Sequence, residues 1–304
     1  MSGLTAILLA LLMAGASQSV TPLQDPPPTA VEDVTVTGRS LPEAVNAFVD
    51  DVTEPASGYG PARWARRICV GVVNLRPEAA QVLIDRVSDV SASVGLEPGD
   101  VGCRPNILVI ATDQASALAD ALIQAKPRVF RPNYSGAAGS PKDLEAFRTS
   151  TQPVRWWPIS VPVDTNTGQV AVKLPGGDAP MISGGGRLTT NVASALQRVI
   201  VILDVTRMEN ITYQQLGDYL AMVSLAQIDD EADTSSFSTI LNLFAAPSVD
   251  QTMTDWDRSY LASLYDSNLN QRNPGAQLGA VSSVMTRDRQ VAQREMSLPQ
   301  DGSR

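Results

Sequence analysis

Ile211-Thr212-Tyr213-Gln214-Gln215-Leu216-Gly217-Asp218-Tyr219-Leu220-Ala221-Met222-Val223-Ser224-Leu225-Ala226-Gln227-Ile228 is the stretch around which the rest of this chain is organised. Thr212 and Gln215 stand in the relation of a capping box, the Thr hydroxyl accepting from a backbone N–H three residues on while the Gln side chain reaches back. Ile211 before the cap and Leu216 after the first turn form the matching hydrophobic staple. From Leu216 the apolar positions follow helical spacing through Tyr219, Leu220 and Val223, and Met222, Leu225, Ala226 and Ile228 extend them almost around the axis. A helix apolar on most sides is buried. Gly217, Ala221 and Ser224 form a stripe of small residues that lets a neighbour approach closely.

Downstream, Ser235-Ser236-Phe237-Ser238-Thr239-Ile240-Leu241-Asn242-Leu243-Phe244 reads as a buried turn followed by a packed segment. Thr254 then caps a second helix, with Asp255 and Asp257 in the first turn where the helix dipole favours negative charge. Trp256, Tyr260, Leu261 and Leu264 are its apolar stripe.

The order of these residues, a helix, a Ser238-Thr239-Ile240 turn, Phe244, and a Thr254-to-Asp257 helix ending in Leu264-Tyr265, resembles the C-terminal half of metzincin-type zinc metalloproteases and related secreted families. In that pattern the active helix carries His-Glu-x-x-His-x-x-Gly-x-x-His. The best register places Gly217, Asp218, Ala221, Ser224 and Gln227 at its five defining positions. All three metal ligands are missing, Asp218 stands where the pattern has Glu, and the turn from Ser238 to Phe244 lacks the usual Met. The resemblance covers roughly a sixth of the chain by this spacing logic. It implies a zincin-like α/β (α+β) fold: a mixed sheet with an edge hairpin, packed by an active-site-type helix and a C-terminal helix. It also implies that the scaffold has lost its metal. The bottom-up alternative is two packed helices of an ordinary α/β domain.

The chain contains no His. That excludes a Ser-His-Asp triad, a Cys-His pair and a His-ligated zinc, each of which needs an imidazole. A hydrolase built on this chain would use carboxylates, Lys or Tyr, with Asp218, Asp204 and the Asp229-Asp230-Glu231-Ala232-Asp233 run as candidates. The last run lacks the Gly and spacing of a calcium loop. No Gly-x-Gly-x-x-Gly or Lys-bearing phosphate loop follows a strand. Net charge of −9 offers no basic stripe for nucleic acid. No metal and no cofactor are expected.

Residues 1–16 are a Leu/Ala-rich run ending in the small-residue pattern Ala14-Gly15-Ala16, which reads as a secretory signal peptide too short to span a bilayer comfortably. The expected location is therefore periplasmic or secreted, without membrane insertion once the signal is removed. Cys69 and Cys103, the only two cysteines, fit an exported chain as a disulfide. A redox pair is the alternative. Residues 17–62 read as a Pro-rich linker bearing a short strand over Val31–Arg39 and a helix capped by Ser40 and Glu43, with Leu41, Val45, Phe48 and Val49 inward. The strand also resembles the segment near the mature N-terminus of TonB-dependent outer-membrane receptors, which raises a role as an accessory of that uptake system.

Residues 63–268 form the expected α/β domain, with about 200 residues and a full core. Strands around Cys69–Leu75 and Cys103–Thr112 flank a helix through Val82, Leu83, Val87, Val90 and Val94, as in a βαβ unit. A helix from Asp113 to Ala125 and a short one over Lys142–Arg148 follow. Val154 to Val163 contains Pro158 and Pro162, which cannot donate to a ladder, so it is an edge strand or rim. Asp164 to Gly168 turns it into a hairpin. Arg155, Trp156 and Trp157 are a candidate ligand rim, with packing against a neighbouring helix as the alternative. The glycines at 176–177 and 184–186 flank a loop read as a surface turn, a lid or an anion-binding nest. Residues 269–304 read as a mobile tail or a docking helix.

Two functions from different classes follow. One is a non-catalytic exported scaffold with a binding or envelope-structural role, taking a peptide or envelope protein; in zincins a substrate peptide lies along an edge strand, which here is the Arg155–Val163 segment. The other is a carboxylate-based hydrolase centred on Asp218.

Overall fold

The computed structural model of this chain describes residues 38–55, 58–131, 139–172, 184–245 and 251–297. The signal segment, the Pro-rich linker and most of the TonB-like strand, at 1–37, lie outside the described residues, as do the glycines at 176–177.

Within residues 36–304, the described part is a mixed α/β unit with a mostly parallel five-stranded sheet and seven α-helices. Strand β1 is Arg63–Trp64, β2 Val70–Val73, β3 Ile107–Thr112, β4 Val154–Asp164 and β5 Val192–Asp204. β3 lies parallel between β2 and β5, and β1 pairs with the first half of β5 on the same side. β4 runs antiparallel along the other side of β5, over their full lengths, with a bulge at Ile159/Ser160. β4 is thus the edge strand that its two prolines require. Among the described residues the return of its hairpin is a single bridge, Val163 to Val170.

Helix α2, Pro77–Ser93, joins β2 to β3, and Pro77 sits in its first turn where the missing N–H costs nothing. Helix α3 is Ala115–Ala125 and α4 is Pro141–Thr149, the latter capped reciprocally by Ser140 and Asp143. Helix α5, Tyr213–Leu225, follows β5 and carries the predicted Thr212/Gln215 capping box. Every residue from Gln215 to Leu225 is buried. Helix α6, Asp255–Asp266, has the box in the form Thr254/Asp257. The Asp257 carboxylate is buried and also accepts from Thr239 Oγ1 (2.5 Å) and the Ile240 N–H (2.9 Å), so one side chain ties the start of α6 to the preceding turn.

The structure departs from the expectation at the start of the domain and decides between the two readings of its end. Helix α1, Leu41–Val52, was expected within a linker, yet its Phe48 packs edge-on against Phe237, Trp256 and Tyr260 at 5.1–5.9 Å. Its apolar face is too large to be left in water, so α1 belongs to the domain core. The tail is helix α7, Pro274–Ser297, which packs on α1 and α6 through buried Val281 and Met285. Sparse large apolar residues were enough, because the stripe is repeated at helical spacing and Arg289 stacks over Trp256 at 4.2 Å. Among the described residues no helix is long and apolar enough to cross a membrane.

The sulfurs of Cys69 and Cys103 are at bonding distance, 1.98 Å. The disulfide ties the residue preceding β2 to the loop before β3, across 34 positions of chain.

Candidate functional site

The five positions matched to a metalloprotease helix are closed. Gly217 lies against α2, so near that a Cβ there would sit 2.8 Å from both Cβ and Cγ of Arg86. Asp218 is fully buried, forms an ion pair with Arg86 Nε, and accepts the Met253 N–H at 2.9 Å. Ala221 and Ser224 are wholly buried, and the Ser224 carbonyl accepts Trp64 Nε1 at 2.8 Å. Gln227 is buried, its Oε1 receiving Ser160 Oγ at 3.3 Å. The small-residue stripe serves helix packing: α2 fills the space the sequence left open. Among the described residues, no three His, Cys, Asp or Glu side chains converge in a way that would hold a metal ion.

The other carboxylate candidates do not join Asp218. Asp204 accepts Thr206 N–H and Oγ1 at 3.1 and 2.6 Å and pairs with Arg207 at 3.5 Å, which makes it the cap of a 3-10 turn over Val205–Arg207. Asp229 accepts the Glu231 N–H at 2.8 Å. The structure gathers a different set. A bridge between Thr53 and Ile228, with Glu54 N–H on Gln227 O at 3.1 Å, carries Glu54 to the 229–231 turn, where α4 brings Asp143. Burial, then the adjacent Asp143 carboxyl, pushes the Glu54 pKa up to about 9. Asp230 keeps an exposed surface, but partial loss of solvent and then the charge of Asp229, Asp143 and Glu231 push it up to about 6. The sequence signal for this gathering was weak: a Thr-Glu pair at a helix end, about 175 positions from the 229–233 run it meets.

A cavity of about 230 Å³ opens at the outer edge of β4. Val154 and Trp156 line its floor, and Arg155 stands on the side of α4, whose end its guanidinium bonds. Ala146 and Phe147 at the end of α4 make one flank, and Tyr219, Asp230, Asp233 and Phe244 belong to the other. Side chains alternate across a strand, so Arg155 and Trp156 point to opposite faces of the sheet. Trp156 lies against Tyr219 (6.2 Å) and donates Nε1 to Ile228 O at 3.1 Å. Arg155 donates to the Arg148 carbonyl at 2.9 Å and to Ser116 Oγ at 3.1 Å, and its Nε–H has no acceptor among the described residues. Trp157 is a correction to the expected rim. It is buried among Phe130 and Phe147 with Nε1 on Val129 O at 3.2 Å, and it takes no part in the cavity.

The polarity of the β4 edge follows from the ladder. Asp204 N–H donates to Pro153 O at 2.8 Å, and the register pairs Val154 with Leu203, Arg155 with Ile202 and Trp156 with Val201. Bonded and non-bonded pairs alternate in an antiparallel ladder, so the main-chain N–H and C=O of Val154 and Trp156 point away from β5. Val199 agrees: its N–H donates toward β3, to Asn106 O at 2.9 Å, and its β4 partner Pro158 falls on a non-bonded pair. Pro158 offers an outward carbonyl and no N–H.

Gly184 and Gly185 adopt positive φ of 86° and 92°, and Gly186 N–H turns back onto Thr189 O at 3.1 Å. This half of the loop is a turn closed on itself, the first of the three readings of this segment.

No family model, curated protein or solved structure matches the chain.

Proposed function

We propose that this chain is an exported protein, periplasmic or secreted, whose zincin-like scaffold holds a polypeptide partner and does not cut it. The observation that carries this reading is the state of Asp218. A carboxylate that must activate water needs an open face, whereas this one is enclosed between α5, α2 and Met253 with its charge taken up by Arg86. Support for the scaffold comes from the antiparallel edge strand β4 beside a sheet whose strand β5 leads through the 3-10 turn at Val205–Arg207 into α5. Support for export comes from the Cys69–Cys103 pair, since such bonds persist in oxidising compartments. Support for binding comes from the cavity beside an edge whose outward N–H and C=O groups at Val154 and Trp156 can receive a strand.

Incubating wild type and Asp218→Asn with unfolded casein tests the reading. Neither is expected to release peptides. Cleavage by wild type that Asp218→Asn abolishes would overturn it.

A further inference from the structure

The cavity at the β4 edge carries opposite charges on its two flanks. On one, Arg155 is 6% exposed, and its guanidinium bonds leave the Nε–H without an acceptor among the described residues. A buried donor on a cation is costly to leave unpaired, and an ionised oxygen is the partner that satisfies it best. On the other flank stand Asp230 and Asp233. Asp233 is held in place by Ser235 N–H and Oγ at 3.2 and 2.6 Å, contacts that also keep its carboxyl ionised. Among the described residues no Lys or Arg forms an ion pair with either aspartate; Lys142 is paired with Glu231. Beside them Trp156, Tyr219 and Phe244 stand ring to ring, with centroids 6.2 and 5.0 Å apart, an aromatic lining that favours a cation. Between the flanks runs a ladder of only two residues, Val154 and Trp156, since Pro158 has no N–H to continue it. A short ladder suits a chain end.

We propose, building on the binding reading above, that this groove takes the C-terminal end of an extended polypeptide whose last residue is Lys or Arg. The terminal carboxylate meets Arg155, the basic side chain reaches Asp230 and Asp233, and the preceding main chain pairs with Val154 and Trp156. A free basic amino acid carries the same two charges but cannot use the ladder.

Calorimetry on the intact, oxidised chain separates these. The probes are the tetrapeptide Ala-Val-Thr-Lys as free acid, its C-terminal amide, its norleucine analogue, and free lysine. The free acid is expected to saturate the protein, with the amide and the norleucine analogue each at least about tenfold weaker, since each loses a charged partner. Asp233→Asn is expected to abolish the preference for lysine over norleucine while leaving the melting temperature unchanged, because Asp233 is exposed. Arg155 also bonds the end of α4, so the comparison of acid with amide, which alters no protein residue, stands for it. Equal binding of acid and amide, or no binding of any probe at millimolar concentration, would overturn the proposal. Free lysine binding as tightly as the tetrapeptide would overturn the polypeptide source. None of these outcomes bears on casein cleavage or zinc uptake, so the non-catalytic reading stands or falls separately.

Discussion

Arg86 on α2 and Asp218 on α5 form an ion pair across the interface between the two helices, with the carboxylate fully buried and the guanidinium side chain 25% exposed. Its second oxygen takes the Met253 N–H. Asp218 thereby joins α2, α5 and the segment leading into α6, so its role is structural. Asp218→Ala leaves a half-buried cation and a buried N–H unpaired, and is expected to lower stability in urea by about 3 kcal/mol. Unchanged urea midpoints would refute the pairing.

Gly217→Ala tests the same interface by volume. Alanine would be favoured over glycine in a helix by about 1 kcal/mol. Here its Cβ meets the stem of Arg86 at 2.8 Å, so α2 must shift. A net destabilisation of about 1–3 kcal/mol is expected by thermal melting, because overpacking outweighs propensity. A stabilised variant would mean the helices are further apart than described.

Glu54 gives the chain a pH dependence whose sign can be worked out. Its folded pKa, about 9, lies above the ordinary 4.5. The folded state therefore binds more protons than the unfolded one in that window, and stability falls as pH rises from about 4.5 to about 9. Asp230 adds the same trend over the narrower range from 3.8 to about 6. Glu54→Gln should flatten the melting temperature between about pH 7.5 and 9, above the range in which Asp230 titrates. A variant as steep as wild type there would remove Glu54 as the cause.

Reduction of Cys69–Cys103 releases a constraint on 34 positions of chain. In the chain-entropy account this costs roughly 3–4 kcal/mol. Urea unfolding with and without a phosphine reductant measures it, and coincident curves would contradict the expectation.

The fold was legible where local chemistry and periodicity agreed. The boxes at Ser40/Glu43 and Thr212/Gln215, Thr254 as the cap of α6, and the apolar strand ending at Thr112 all fall where they were expected. Pro158 and Pro162 marked β4 as an edge because the missing donors act within the strand itself. What escaped were long-range partners. Nothing local to Gly217, Ala221 or Ser224 says whether a small-residue stripe faces a cleft or a helix, and it took α2 to decide. Trp156 and Trp157 are identical in type and adjacent, yet strand alternation sends one to the cavity wall and the other into a separate aromatic cluster. Glu54 and Asp143 meet only because residues 52–54 pair with 227–229. The two-residue strand β1 carried no pattern of its own.

Zinc calorimetry tests most directly whether the helix at the heart of this chain is a core element and not a metal site. With Asp218 committed to Arg86 and the other four matched positions buried and without imidazole, addition of zinc to the apo protein is expected to give only the heat of dilution. One-to-one uptake at submicromolar affinity, lost in Asp218→Asn, would contradict the account.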